Sequence, residues 1–175
     1  MISHYLCQHL VSEFKMLQDT SNDLRILEVG SGLGRCGLLA HHLSHENATT
    51  ILTDGDTDTL KQLRENIKNN TIQNGSNISC VQLLWGEEQA KTFLSQQPGS
   101  RKFDVILGSD LIYVKSVIRP LFETVRVLLS ERDGSKLLMA HCSRREGNEV
   151  ELNTVLEIAE QEGFEYELLI QDDSD

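Results

Sequence analysis

Glu28, Gly30, Ser31, Gly32, Gly34 and Asp54 are the residues whose types and spacing first point to chemistry. In Ile26-Leu27-Glu28-Val29-Gly30-Ser31-Gly32-Leu33-Gly34, three apolar residues around one acid read as a short buried strand. The small residues that follow allow the backbone to take positive φ or to admit a ligand closely. A helical apolar pattern runs from Leu38 to Leu43, so the glycines sit at a strand-to-helix turn whose first helical amides are unpaired donors. Alone, such a glycine run is also an ordinary turn. Asp54 adds the second half of the pattern. It closes another apolar run, 49–53, roughly 20 residues past the glycines, where a dinucleotide-type fold sets a carboxylate on ribose hydroxyls. Two acids beside the turn, Glu28 and Asp54, make a poor seat for a pyrophosphate and a good one for a cationic nucleoside. S-adenosylmethionine is therefore expected in preference to NAD.

The elements that must hold these residues alternate along the chain. Leu6, Leu10, Phe14 and Leu17 predict a helix over 3–18. A strand over 25–29 is followed by a helix over 34–44, and a strand over 49–53 by a turn capped at Asp56 or Thr57. The next helix carries Leu60, Leu63 and Ile67 to about residue 70, and an Asn/Gly-rich loop spans 69–77. A strand over 78–84 precedes a segment of helical composition, 87–97, closed by Pro98-Gly99-Ser100. The continuous apolar run 103–108 suits the inside of a parallel sheet. Val117, Ile118, Leu121, Phe122, Val125, Leu128 and Leu129 define another helix, its start made irregular or deferred to Arg119 by Pro120. After a turn over 131–135 come a strand over 136–142, a charged loop over 144–148, a helix over 150–162, a strand over 164–170 and a frayed acidic tail, 171–175. This alternation predicts an α/β fold, a doubly wound, mostly parallel Rossmann-like sheet with helices on both faces. Ligands of such sheets bind beyond the carboxyl ends of the strands, where Glu28–Gly32, Asp54, Trp85, 109–113 and 141–144 all fall. No repeat, linker or low-complexity block interrupts the chain, which reads as one domain over 1–175.

Glu28-Val29-Gly30-Ser31-Gly32-Leu33-Gly34 resembles motif I of the class I, seven-strand S-adenosylmethionine-dependent methyltransferases, and Asp54 matches their ribose-binding acid. Leu84-Trp85-Gly86 and Phe103-Asp104-Val105-Ile106-Leu107-Gly108-Ser109-Asp110-Leu111-Ile112-Tyr113 are similar to a narrower group, the protein-lysine methyltransferases with a D-x-x-Y signature. The resemblance covers about 6–169. It implies the strand order 3-2-1-4-5-6. The family's seventh, antiparallel strand and a tryptophan upstream of the first helix have no match here, so truncation at both ends is expected.

From the resemblance follow the roles. Gly30, Ser31 and Gly32 are expected against the methionine part of the cofactor, Asp54 on the ribose and Ser109 along the cofactor. Trp85 is expected at the purine, the alternative being core packing. Asp110 and Tyr113 are the expected substrate pair: a carboxylate that holds and orients an ammonium, and an aromatic face that receives the cation. The alternative is that Asp110 caps the next helix and Tyr113 packs. His141 and Arg144 read as surface or capping residues, and Arg144 with Arg145 as a contact for an acidic patch on a partner.

A net charge of −11 argues against a nucleic-acid partner, which needs a basic stripe, and suits a protein substrate with a basic or lysine-bearing surface. No apolar run approaches membrane-spanning length, so no membrane partner is expected. The first residues lack signal-peptide features, which points to the cytoplasm or the nucleus. The four cysteines, 7, 36, 80 and 142, show no C-x-x-C spacing, and His41 with His45 lacks the H-E-x-x-H glutamate, so no metal is expected. The expected activity is methyl transfer to a protein lysine. A protein-histidine or small-molecule N- or O-methyltransferase, and an inactive cofactor-binding scaffold, are the alternatives.

Overall fold

A computed structural model of the chain describes residues 23–44, 48–70, 77–141 and 150–169. The helix expected over 3–18, Cys7, His45, Cys142, Arg144, Arg145 and the tail lie outside the described residues. The core is organised on β1 (Arg25–Val29), all five of whose residues are buried. The glycine turn follows, then α1 (Arg35–Leu43), β2 (Thr49–Asp54), α2 (Thr57–Asn70), β3 (Ile78–Gln82) and α3 (Glu87–Ser95). A 3-10 turn at Pro98–Ser100 leads to β4 (Val105–Ser109), and a second at Lys115–Val117 leads into α4 (Ile118–Leu128). β5 (Lys136–Ala140) and α5 (Leu152–Gln161) complete the described elements.

The strands form one sheet of order β3-β2-β1-β4-β5, each neighbouring pair parallel. Because side chains alternate along a strand, β1 feeds two cores. Leu27 and Val29 pack with Ile51 and Ile106 beneath Phe93 of α3, Leu121 and Val125 of α4 and Val155 of α5. Ile26 joins Val105, Leu107 and Leu138 beneath Cys36 and Ala40 of α1, while Leu52 meets Leu60 and Leu63 of α2. Each such side chain contributes about 1.5–3 kcal/mol by leaving water. α2 opens as the sequence implies: the Asp56 carboxylate accepts the Asp58 N–H at 2.8 Å and the Thr59 hydroxyl at 3.2 Å.

One expected strand does not form among the described residues. Among the described residues the sheet ends at β5, and 164–169 pair with nothing in it. The strand expected over 164–170 does not form because its first residue belongs to the end of α5. Gly163, at φ +88°, reverses the chain; its N–H bonds Glu160 O at 2.9 Å and the Phe164 N–H bonds Ala159 O at 3.0 Å. This is a Schellman cap, in which the apolar residue after the glycine folds back on the helix. Phe164 accordingly sits 5.5 Å from the Phe122 ring, and Tyr166, Leu168 and Leu169 are exposed.

Candidate active site

The glycine turn leaves β1 with left-handed backbone at Gly30 (φ +59°) and Gly32 (φ +53°). A Cβ on Gly32 meets nothing within 4 Å, so that glycine answers to its φ alone and faces open space. Ser31 between them is buried, and its hydroxyl is committed inward. It donates to Glu28 O at 3.2 Å and accepts the Thr53 N–H at 3.0 Å. Thr53 donates its own hydroxyl to the same Glu28 carbonyl at 2.8 Å, and the Ser31 N–H bonds Thr53 O at 2.8 Å. The turn is thereby tied to β2, and the Ser31 hydroxyl is committed within it.

Asp54 ends β2 at the same level. One carboxylate oxygen accepts the Gly32 N–H at 3.0 Å and the other accepts the Asp56 N–H at 3.0 Å. A carboxylate oxygen has two acceptor sites, so Asp54 holds the turn in shape and retains capacity for hydroxyl donors. Glu28 behaves differently from the expectation of a second negative charge. Its side chain enters the opposite face, where a Cβ on Gly37 of α1 comes 2.6 Å from its Oε2. That oxygen has no partner. Burial pushes the carboxyl up to about 8. At neutral pH Glu28 is therefore mostly protonated, and the anionic character of the turn rests on Asp54.

Trp85 is half-buried, packed against the core that contains Leu111, and its Cζ2 lies 3.3 Å from where a Gly30 Cβ stands. The next residue explains its position. The Gly86 N–H donates to the Thr124 hydroxyl at 2.8 Å, and that hydroxyl donates to Pro120 O at 2.8 Å. Thr124, fully buried on α4, is a positioning residue that no sequence motif singles out.

Ser109, half-buried, ends β4 opposite Ala140 of β5. Asp110 follows in left-handed backbone, φ +55°, its N–H bonded to Ala140 O at 3.0 Å. Among non-glycine residues Asp and Asn tolerate that region best. Leu111 and Ile112 are each 5% exposed, whereas Tyr113 is 52% exposed. Asp110 does not cap the following helix: α4 starts at Ile118 with Val117 as its cap and no side-chain cap bond. The capping alternative is thus removed by geometry. His141 Nε2 donates to Val150 O at 3.0 Å, a backbone tie as expected, and His41 bonds the Thr50 hydroxyl at 3.2 Å. Among the described residues no group of three metal-ligating side chains occurs.

The carboxyl ends of β1, β2, β3 and β4 thus bring Gly30–Gly32, Asp54, Trp85, Ser109 and Asp110 to one rim at the point where the sheet order reverses, and Tyr113, three residues past Asp110, is exposed. Glu28 alone lies beneath this rim rather than on it. The architecture is that of the class I methyltransferases. A ribosomal protein L11 methylase from Lactobacillus delbrueckii subsp. bulgaricus matches with a TM-score of 0.64 at 17% identity, over 95% of this chain and 71% of that one. Magnesium protoporphyrin IX methyltransferase (ChlM) from Synechocystis PCC 6803 with bound SAM matches with a TM-score of 0.62 at 13% identity, over 91% and 69%. At such identities the likeness is one of fold. The sequence goes further: the profile of the lysine methyltransferase family matches residues 1–157, and the chain belongs to that family. It is 32% identical over 123 residues to the protein-lysine N-methyltransferase EFM3 of Chaetomium thermophilum, covering 70% of this chain and 36% of that protein. It is 31% identical over 130 residues to the protein N-lysine methyltransferase METTL21A of Xenopus tropicalis, covering 73% and 52%. A calmodulin-lysine N-methyltransferase of Arabidopsis thaliana is 26% identical over 115 residues, covering 65% and 36%. The chain spans about a third to a half of the length of these relatives.

Proposed function

We propose that this chain binds S-adenosylmethionine at the carboxyl ends of β1, β2 and β4 and directs methylation of a lysine ε-amine on a protein. The observation that supports this reading best is the coexistence, on one rim, of an Asp54-braced glycine turn facing open space and the Asp110–Tyr113 corner. S-adenosylmethionine supplies, when bound, an electrophilic methyl on a sulfonium. Asp54 has acceptor capacity for the ribose hydroxyls. The backbone of Gly30–Gly32 lies against the methionine portion, Ser109 lines the same cleft, and Trp85 presents its indole to the purine. The polar edges of the turn and the half-buried indole fit such a nucleoside.

The substrate side falls to Asp110 and Tyr113. A lysine ammonium is drawn to the Asp110 carboxylate, which fixes its direction of approach. The amine proton leaves to water, so Asp110 need not act as base. The Tyr113 ring, half-exposed, gives the cation and its methylated forms a π face. Much of the rate comes from that alignment. The net charge of −11 favours a basic or lysine-bearing protein surface as partner.

Asp110→Asn tests the assignment, because Asn tolerates the same left-handed backbone and removes the charge. The variant is expected to melt as wild type and to bind S-adenosylmethionine as wild type. Methyl transfer from labelled cofactor into protein lysines of a cell extract is expected to fall about 100-fold. Wild-type transfer by the variant overturns the role of Asp110. Label on histidine or on a small molecule in the wild-type reaction overturns the lysine assignment.

A further inference from the structure

We infer that Leu111 is a positioning residue: its side chain is the wedge that couples the substrate corner to the cofactor turn. The inference rests on the reading of that corner and turn just given. A glycine of β4 and a glycine of the turn after β1 leave a slot for one side chain. A Cβ on Gly108 of β4 stands 2.5 Å from Leu111 Cδ1 and 3.4 Å from its Cγ, and a Cβ on Gly30 stands 2.6 Å from Leu111 Cδ2. Gly108 lies in register with Val29, the residue before Gly30, so both gaps open on the same spot. Its backbone has no positive φ, and its other close neighbour, Val29 Cγ2 at 3.6 Å, is at ordinary contact. Glycine at 108 therefore answers to Leu111 rather than to backbone conformation, the close-approach use of a strand glycine: a Cβ there displaces the end of the Leu111 side chain.

The consequence is mechanical. Asp110 and Tyr113 flank two buried residues, Leu111 and Ile112, so the middle of D-x-x-Y anchors what its ends present. The left-handed bend at Asp110 turns the chain so that Leu111 folds back over Gly108 onto the glycine turn. Close-packed interiors transmit such displacements because few voids absorb them. A shift of the glycine turn therefore reaches Asp110 through one side chain, and a shift of the corner reaches Gly30 the same way.

The test is a double-mutant cycle on Gly108→Ala and Leu111→Ala, with Leu111→Val as a gentler truncation and Leu111→Met as the volume-conserving control. Calorimetry of S-adenosylmethionine and S-adenosylhomocysteine binding is combined with backbone hydrogen exchange over 30–34 and 110–114. Each single truncation or insertion is expected to weaken cofactor binding about tenfold and to speed exchange in both segments. The double variant is expected to bind better than the sum of the two losses, since the new Cβ at 108 occupies part of the volume that Leu111 vacates. Leu111→Met is expected to stay near wild type. Additive losses, or variants that melt earlier with unchanged affinity and with exchange altered only over 110–114, overturn the wedge. If wild type binds neither nucleoside, the cofactor reading fails, and exchange in the two segments still decides the coupling.

Discussion

The two ends of the same parallel strands are built to different rules. At the amino ends, backbone and side chains interlock. The Arg25 N–H donates to Asp104 Oδ2 at 2.9 Å, and the Asp104 N–H returns a bond to Arg25 O at 2.9 Å. Lys136 N–H bonds Asp104 O at 3.0 Å, and Arg132 reaches Asp104 Oδ1 at 3.3 Å. The buried Arg25 guanidinium lies 4.8 Å from the centroid of Phe103, whose backbone is bonded to Leu128 and Ser130. At the carboxyl ends the chain instead takes left-handed backbone at Gly30, Gly32 and Asp110 and leaves Tyr113 half in solvent. Residues held in sparsely populated conformations persist only where surrounding structure over-determines them. The amino ends supply that surplus order, and the left-handed turns lie at the other end, where ligands of such sheets bind.

Substitutions can separate the two ends. A marked loss of stability is expected at Asp104. Asp104→Ala leaves the buried Arg25 amide without an acceptor, a loss of about 2–3 kcal/mol. Arg132 adds little, because its side chain is 60% exposed. Chemical denaturation is expected to show the loss while calorimetry shows unchanged S-adenosylhomocysteine affinity. A parallel drop in affinity breaks the division between the ends. Asp54→Ala is the mirror experiment. Hydrogen bonds to a charged group contribute about 1.5–3 kcal/mol, so cofactor affinity is expected to fall about 10- to 100-fold, with a much smaller change in denaturation midpoint.

A pH-dependent effect concerns Glu28, which sits beneath the rim. Its folded-state carboxyl, raised by burial from its ordinary 4.5 to about 8, holds a proton that the unfolded chain releases earlier. Over that window the folded state binds more protons, so stability declines as pH rises through it and is fully reduced above about 8. Thermal melts of wild type are expected to decline between about pH 5 and pH 9, and Glu28→Gln is expected to flatten the decline. A variant with the wild-type slope assigns the pH dependence elsewhere.

Much of this was legible in the sequence, for physical reasons. The strand, glycine turn and helix around β1 are written in residue types that sterics dictate, and Asp54 stands at a spacing fixed by one crossover. The central strands read as continuous apolar runs because both faces are covered. The strand expected over 164–170 does not form among the described residues because a strand needs a partner and Phe164 is committed to the cap of α5. The protonation of Glu28 depends on Gly37 and on depth of burial, neither visible from its place in the motif. Thr124 lies 38 residues from Gly86, and no local pattern connects them. Gly108 did carry a signal, a lone glycine in an apolar strand, but its partner Leu111 looked like any core leucine.

The sequence has a single tryptophan, and the fold sets that indole beside Gly30. Emission excited at long ultraviolet wavelengths therefore arises from one chromophore at one address, with no second indole to dilute it. A substitution or ligand that reshapes the glycine turn alters the medium around that ring, so the chain carries its own optical gauge of that turn, readable in a stopped-flow cell without an attached dye.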